Sequence, residues 1–249
     1  MMKARTRRDL TIIPISERDS IVIACDSCGA VGLKDADVLQ LPPRYAAKFT
    51  ARVALTEVLC SGAAPVTVIN GAACEMHPTG EETIAGVREE LMNAGIADIA
   101  LTGSTEENFQ TSMTALAVTV IGIAENAALR FEPAGEGDRF VLIGQPLVGA
   151  EVDLESMGYY TEIKHLLQMP EVKEIVPVGS KGAAYEAETL ACLNGMAYEF
   201  YDTGIDYKKS AGPATCLLVL CEGPVAGHLL KTFPAATVIG GIVTDAYLS

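Results

Sequence analysis

Residues 21–37 read IVIACDSCGAVGLKDAD, an apolar run followed by small and charged residues. Its first four residues are apolar and predict a buried strand, after which come Asp26, Gly29, Gly32 and Lys34. Glycine lets the backbone approach an anion, lysine neutralises negative charge, and a carboxylate can hold Mg²⁺. The pattern therefore indicates a phosphate-binding loop at the end of a strand. It contains neither GxxxxGK[ST] nor GxGxxG, so an ordinary loop is the alternative interpretation.

The composition describes a compact globular protein. The chain has 249 residues, of which 49% are hydrophobic and 20% are charged, enough for a core in one or two domains. A net charge of −14 argues against a nucleic-acid partner, because such binding depends on clustered Lys and Arg. No apolar run approaches the roughly 20 residues of a membrane helix, so no membrane partner is expected. The basic residues 3–8 are expected to form a solvated tail and not a signal peptide, and the protein is expected to be cytoplasmic.

The cysteines fit a reduced protein. Their number is seven, which is odd, and they are scattered along the chain. Cys25 and Cys28 have the CxxC spacing of a zinc half-site or a redox pair, but the sequence has no second pair at that spacing. The favoured interpretation is structural, with Cys25 in the strand and Cys28 as a small residue in the loop.

A long helix is predicted for residues 44–61, where apolar and small residues recur at helical spacing before a glycine and a proline. Glu57 lies among apolar residues of this helix, and a carboxylate in such a place needs a cation or a partner. A surface glutamate on an amphipathic helix is the alternative. A second helix is predicted for residues 81–93, with Thr79 as its N-cap.

A further acidic segment follows the strand predicted for residues 96–101. Residues 102–108 read TGSTEEN and are predicted to form a polar turn that carries Glu107. Together with Asp26 and Glu57, this gives three acidic elements at the edges of strand or helix cores. Their combination favours a metal–nucleotide site more than any one of them does alone.

The composition changes at residues 125–138, which are rich in loop-forming residues. This change predicts an N-terminal domain of residues 1–126 and a C-terminal domain of residues 127–249 with an α+β pattern. Within the second domain, Lys181 follows a glycine and a serine just before a predicted helix. Such a segment can bind an anion at the helix N-terminus, or it can simply be a tight turn.

The order of these motifs resembles the superfamily of aminoimidazole ribonucleotide synthetase, thiamine-monophosphate kinase, selenophosphate synthetase and hydrogenase-maturation dehydratase. Residues 54–65, ALTEVLCSGAAP, are similar to the family's helix that ends in an acid and continues as Met-Gly-Ala-x-Pro. Residues 101–105, LTGST, resemble its Gly-Gly-Asp/Glu-Thr turn, and residues 210–213 and 238–243 resemble two of its later segments. The resemblance implies an α+β, two-domain fold in which N-terminal strands pair across a homodimer to form a barrel. It also implies that ATP and Mg²⁺ bind beside the C-terminal domain.

The resemblance implies roles for particular residues of this chain. The expected Mg²⁺ ligands are Asp26, Glu57 and Glu107. The expected nucleotide contacts are Gly29, Gly32, Gly103, Ser104 and Thr105. The expected catalytic residues are Asp26, Lys34, Asp37 and Lys181. Lys34 or Lys181 is expected to offset charge on the transferred group, and Asp37 or another carboxylate is expected to orient the attacking hydroxyl. Ser104 and Lys181 stand where the family carries acids, so the number of metal ions is left open.

Residues 25–34 look most like the α-ribazole kinase branch, which feeds assembly of the lower ligand of cobalamin. The expected reaction is the ATP- and Mg²⁺-dependent phosphorylation of the 5′-hydroxyl of α-ribazole, a small nucleoside-like alcohol. One alternative is another ATP-dependent enzyme of the superfamily, similar to thiamine-monophosphate kinase or to the synthetase. The other is a non-catalytic nucleotide-binding dimer.

Overall fold

The computed structural model describes residues 3–244. The chain divides into two compact units. The first contains the described residues up to Leu59 together with Ala63–Ala128, and the second contains Cys60–Gly62 and the residues from Leu129 onward. None of the helices within residues 3–244 is both long and apolar enough to cross a membrane.

The first unit is built on a six-stranded sheet. In order across the sheet, its strands are β1 (Arg5–Arg7), β2 (Leu10–Pro14), β3 (Asp19–Gly29), β8 (Ala115–Glu125), β6 (Ala64–Ala72) and β7 (Ala100–Thr105). Neighbouring strands are antiparallel except β6 and β7, which are parallel. The C-terminal ends of β3, β6 and β7 therefore lie at the same end of the sheet. Beyond β3, the short strands β4 (Val31–Gly32) and β5 (Leu39–Gln40) pair in parallel.

Two α-helices, α1 (Pro43–Cys60) and α2 (Glu81–Asn93), pack with this sheet in the first unit. A methyl group on Gly122 of β8 would lie 2.6 Å from Val58, which shows how closely α1 packs on the sheet. Ion pairs join the two helices: Lys48 Nζ lies 2.8 Å from Glu89, and Arg52 Nε lies 2.7 Å from Glu90. Lys48, Arg52 and Glu90 are buried, and pairing offsets the loss of their hydration.

The opposite face of this sheet is only partly covered. Along β3 and β8 the residues alternate between two sets. One set is buried throughout β8 and in β3 as far as Ala24, and the other is partly or largely exposed. The exposed set contains cross-strand pairs of β-branched residues, among them Ile21 with Ile123 and Ile23 with Ile121. Ile123 is 43% exposed and Ile69 of β6 is 37% exposed. An apolar sheet face of this kind is typical of an interaction surface.

The second unit has a five-stranded antiparallel sheet. In order, its strands are β10 (Val172–Pro177), β12 (Cys216–Cys221), β9 (Arg139–Gly144), β13 (Ala236–Val243) and β11 (Ala197–Phe200). The helices are α3 (Tyr160–Leu166), α4 (Gly182–Leu193) and α5 (Gly223–Thr232). Strands β9 and β12 are buried along almost their whole length, and α4 packs with them in one apolar core.

Several predicted elements are confirmed, and others differ for identifiable reasons. The predicted helices 44–61 and 81–93 match α1 and α2. The predicted strand 21–24 was too short, because β3 pairs with β8 through eleven residues and ends only at Gly29. Asp26 therefore lies within a strand and not in a loop. Similarly, residues 102–105 extend β7 instead of forming a turn, since they pair with β6.

Two local predictions were wrong. The basic N-terminal segment does not behave as a solvated tail, because Arg5–Arg7 pair with β2 and the Arg8 side chain is buried. Thr79 is not the N-cap of α2, because Gly80 occupies that position. The Thr79 hydroxyl instead donates a hydrogen bond to Glu75.

Candidate functional site

Two of the predicted metal ligands line one cavity in the first unit. The cavity has a volume of about 310 Å³, and Asp26 of β3 and Glu57 of α1 both contribute to its wall. The rest of its lining is Asp9, Ala24, Cys25, Val53 and Ala54. Asp26 reaches the cavity because it has the same parity as Val22 and Ala24, whose side chains point into the buried side of the sheet.

The environment of Asp26 disfavours its charge in the absence of a cation. Burial raises the pKa of its carboxyl group above the ordinary value of 3.8, although a hydrogen bond from the Ser27 backbone N–H opposes this. The nearby negative charge of Asp9 raises the pKa further. A cation bound beside Asp26 would relieve both the desolvation and the repulsion.

Glu57 already has a counter-charge from within the chain. Its Oε2 lies 3.3 Å from Nη1 of Arg8, and the two side chains are 7% and 3% exposed. The predicted alternative of a surface glutamate is therefore wrong. Burial accounts for the pairing, because burying an unpaired carboxylate among apolar side chains costs much free energy.

The oxygen atoms that line this cavity are of the type that binds a hard divalent cation. Asp9, Asp26 and Glu57 offer only carboxylate oxygens, which are the ligands that Mg²⁺ prefers. Over residues 3–244, no three acidic, histidine or cysteine side chains are already arranged as a metal cage. The residues fit Mg²⁺ as a partly prepared site that uses one or two carboxylates, a common arrangement when phosphates and water supply the remaining ligands.

A second group of polar residues follows the C-terminal ends of β3, β6 and β7, at one end of the sheet. Lys34 Nζ is 2.5 Å from Glu75 Oε2, and the Thr79 hydroxyl is 2.5 Å from Glu75 Oε1. Burial alone would raise the pKa of Glu75, but the hydrogen bonds from Lys34 and Thr79 outweigh it and lower the pKa to about 2. Glu75 therefore stays charged and holds Lys34 in place.

Asp37 forms hydrogen bonds that hold the same loop in place. Its carboxylate accepts hydrogen bonds from the backbone N–H of Lys34 at 2.9 Å and from the N–H and hydroxyl of Thr114 at 2.7 and 2.8 Å. A methyl group on Gly32 would lie 2.4 Å from this carboxylate and 2.0 Å from the Thr114 hydroxyl. These contacts give Asp37 and Gly32 a structural task. A catalytic role for Asp37 and a nucleotide contact for Gly32 remain predictions.

Glu107 is not among the residues that line the cavity of Asp9, Asp26 and Glu57, which we call the carboxylate cavity. Its Oε1 accepts hydrogen bonds from the Met76 backbone N–H at 2.7 Å and from the Thr105 hydroxyl at 2.9 Å. In neighbouring β7, a methyl group on Gly103 would lie 2.0 Å from the Asn70 carbonyl oxygen, so strand packing alone requires glycine there. Ser104 is exposed on the same strand. Metal binding by Glu107 and nucleotide binding by these β7 residues remain predictions.

Two other predicted positions have different surroundings. Gly29 is exposed at the end of β3, with open space where a side chain would project. Lys181 belongs to the second unit, immediately before α4, and its Nζ lies 4.0 Å from the centre of the Tyr185 ring. This cation–π contact holds the lysine near the helix start.

Cys25 and Cys28 cannot act as a local pair. Both lie in β3 three residues apart, so their side chains point to opposite faces of the sheet. Cys25 is exposed and Cys28 is half-buried near Thr50. Neither a zinc half-site nor a redox pair fits this geometry, which agrees with the structural interpretation, although Cys28 lies in the strand and not in a loop.

Sequence reasoning missed three residues of these sites: Arg8, Asp9 and Glu75. Arg8 is the last residue of the basic segment interpreted as a tail, and Asp9 follows it directly. Their place in a hairpin turn depends on the pairing of β1 with β2, which the sequence did not indicate. Glu75 lies in a segment with no periodic pattern, so nothing in the sequence indicated its contact with Lys34.

Comparison with known proteins agrees with this architecture. Residues 7–124, slightly less than half of the chain, match the family model described as "AIR synthase related protein, N-terminal domain". A search among curated proteins gives no match.

Solved structures share the fold at low sequence identity. Thermotoga maritima PurL in complex with ADP has a TM-score of 0.75 and 12% identity, with 98% of this chain covering 43% of that one. Thiamine monophosphate kinase from Aquifex aeolicus has a TM-score of 0.71 and 14% identity, with coverages of 96% and 89%. E. coli HypE has a TM-score of 0.67 and 16% identity, with coverages of 90% and 80%. The chain thus spans less than half the length of PurL, and it has the mixed α+β, AIR-synthase-like fold.

Proposed function

We propose that this protein is an ATP- and Mg²⁺-dependent phosphotransferase that acts on a small alcohol. The observation that carries the proposal is the meeting of Asp26 and Glu57 in one cavity of the first unit. The fold supports it, because T. maritima PurL was solved in complex with ATP, with AMPPCP and with ADP, and because a thiamine monophosphate kinase shares the fold.

The cavity carboxylates are assigned to metal binding. Asp26 and Glu57 would hold Mg²⁺, with Asp9 as a third acidic neighbour in the cavity wall. When bound, Mg²⁺ neutralises phosphate charge and orients the group to be transferred. Asp26 is suited to this because burial and the charge of Asp9 both disfavour its ionised form until a cation is present.

Lys34 is assigned to offset charge on the transferred group. Its ion pair with Glu75 fixes the position of the ammonium group at this end of the sheet, which reduces the conformational freedom that would otherwise be lost on binding. The same task for Lys181, the alternative to Lys34, remains a prediction. Phosphoryl transfer needs positioning and charge neutralisation more than covalent catalysis, so a dedicated base is not essential to this scheme.

The proposed acceptor is the 5′-hydroxyl of α-ribazole. This part rests on the likeness of residues 25–34 to the α-ribazole kinase branch. An enzyme similar to thiamine-monophosphate kinase or to the synthetase is equally consistent with the fold. A non-catalytic nucleotide-binding dimer is favoured by Ser104 and Lys181, which stand where the superfamily carries acids.

We also propose a homodimer formed through the uncovered face of the first sheet. The exposed face carries Ile21, Ile23, Ile121 and Ile123 as cross-strand pairs. Burying apolar surface of this kind contributes a favourable free energy of about 25 cal/mol per Å². A second copy of the chain offers an identical, self-complementary face, as two-fold dimers require.

A ³¹P NMR time course tests the reaction and the acceptor together. The protein is incubated with ATP and Mg²⁺ in three tubes that contain α-ribazole, thiamine phosphate or formylglycinamidine ribonucleotide. The proposal predicts ADP and a new phosphomonoester only with α-ribazole. Product with another acceptor moves the assignment to that branch, and ATP binding without turnover in any tube favours the non-catalytic dimer.

A further inference from the structure

The tip of the first hairpin reaches the carboxylate cavity. Arg7 pairs with Leu10 across β1 and β2, so Arg8 and Asp9 form a two-residue loop. Arg8 has a φ of 52°, in the left-handed region that residues other than glycine seldom adopt. Two-residue hairpin loops usually place Gly, Asn or Asp where φ is positive. The turn itself therefore does not favour arginine, and the contacts of the side chain must account for it.

The Arg8 side chain points inward from this turn. It is 3% exposed, and its Nη1 lies 3.3 Å from Oε2 of Glu57. The next residue, Asp9, lines the cavity together with Asp26 and Glu57. The hairpin thus brings a permanently charged guanidinium to the carboxylates that are proposed to bind metal. Arg8 neutralises the charge of Glu57. The Arg8–Glu57 ion pair does not neutralise Asp26 or Asp9, which line the same cavity.

We propose that Arg8 is a built-in counter-cation that competes with a divalent metal ion for Glu57. The inference rests on the metal site of the proposed function and adds a residue that controls its affinity. Arg8 must release Glu57 before that carboxylate can serve as a metal ligand, so the affinity for free Mg²⁺ is kept low. The phosphates of a nucleotide give the released guanidinium a new anionic partner, because arginine binds phosphate through paired N–H donors. Metal and nucleotide therefore bind together, and the metal alone binds weakly.

Titration calorimetry with Mn²⁺ in the absence of nucleotide tests this inference. The wild-type protein is compared with Arg8→Gln, Arg8→Gly and the control Arg5→Gln, which removes an exposed arginine from β1. Arg8→Gly guards against misfolding, because glycine adopts a positive φ without strain. We expect Mn²⁺ to bind both Arg8 variants at least tenfold more tightly than the wild type and the control. Thermal melting should show a correspondingly larger Mn²⁺-dependent rise for the Arg8 variants.

A double variant separates competition from a general charge effect. In Arg8→Gln combined with Glu57→Gln, the gain in Mn²⁺ affinity should disappear, because the carboxylate that Arg8 released is no longer present. Equal Mn²⁺ affinity in the Arg8 variants and in Arg5→Gln overturns the inference, as does a lack of Mn²⁺ binding in every variant. A tenfold gain supports the inference even if the three acceptor tubes show no product. Failure of the inference and failure of the proposed reaction are therefore distinguishable.

Discussion

Asp37 and Thr114 are joined by two hydrogen bonds that tie the loop after β3 to the start of β8. Asp37 Oδ1 accepts from the Thr114 backbone N–H at 2.7 Å, and Oδ2 accepts from its hydroxyl at 2.8 Å. Both residues are buried, so the carboxylate replaces water with protein donors. This contact fixes the segment that carries Lys34, and it gives Asp37 a structural role whether or not the residue also takes part in catalysis.

Replacing Asp37 by Asn should destabilise the protein by about 1–3 kcal/mol, because buried donors lose a charged acceptor. Burial alone would raise the pKa of Asp37, but the hydrogen bonds from Thr114 and Lys34 lower it below 3.8. The stabilisation is therefore complete above pH 3.8 and is lost as the pH falls through the lower pKa of the folded state. Thermal melting measures the effect, with the exposed Asp35→Asn as control. Equal melting temperatures for the two variants would contradict it.

Asp26→Asn should have the opposite effect on stability and a severe effect on turnover. Burial raises the pKa of Asp26, so at neutral pH its charge destabilises the folded state, and removing it should raise the melting temperature. This gain should disappear below pH 3.8, where the carboxyl group is protonated in both states. Turnover should fall by about 100-fold or more, as when a preorganised electrostatic group is lost. Unchanged turnover would remove Asp26 from the metal site.

Ile123→Lys should convert the proposed dimer into a monomer. The side chain is 43% exposed on the uncovered sheet face, and a lysine there would have to be buried against the second copy. Met92→Lys is the matched control, since Met92 is 61% exposed on α2. Size-exclusion chromatography with light scattering gives the mass. A wild-type monomer, or an Ile123→Lys dimer, would contradict the proposed interface.

Gly103→Ala should destabilise the first unit by about 1–3 kcal/mol through overpacking. The added methyl group would lie 2.0 Å from the Asn70 carbonyl oxygen, so β6 and β7 would have to separate. Gly29→Ala should be nearly neutral, because no atom beyond the adjacent residues lies within 4 Å of its added methyl group. Denaturant unfolding distinguishes the two. Equal losses would show that packing between these strands does not explain Gly103.

The sequence predicted the regular elements well because their signals are local. Helical spacing and flanking glycine and proline located α1, and the same spacing located α2. The ends of strands were less predictable, since Asp26 and Ser104 belong to strands only through pairing with distant segments. Small and polar residues look like loops until a partner strand is known.

The site was only partly predictable for the same reason. Asp26 and Glu57 were expected together, and the structure places them in one cavity. The counter-charge Arg8 was missed, because a buried ion pair 49 residues apart leaves no trace in sequence spacing. Glu107 and Asp37 looked equivalent to the cavity acids in the sequence, but backbone donors engage both.

A crystal structure with Mn²⁺ and a non-hydrolysable ATP analogue tests the central claim most directly. Anomalous scattering locates the ion without assumptions about the chemistry. The account predicts Mn²⁺ within coordinating distance of Asp26 and Glu57 oxygens, about 2.0–2.3 Å, with analogue phosphates completing its shell. An ion bound at Glu107, or a nucleotide bound with no ion near Asp26, would contradict it.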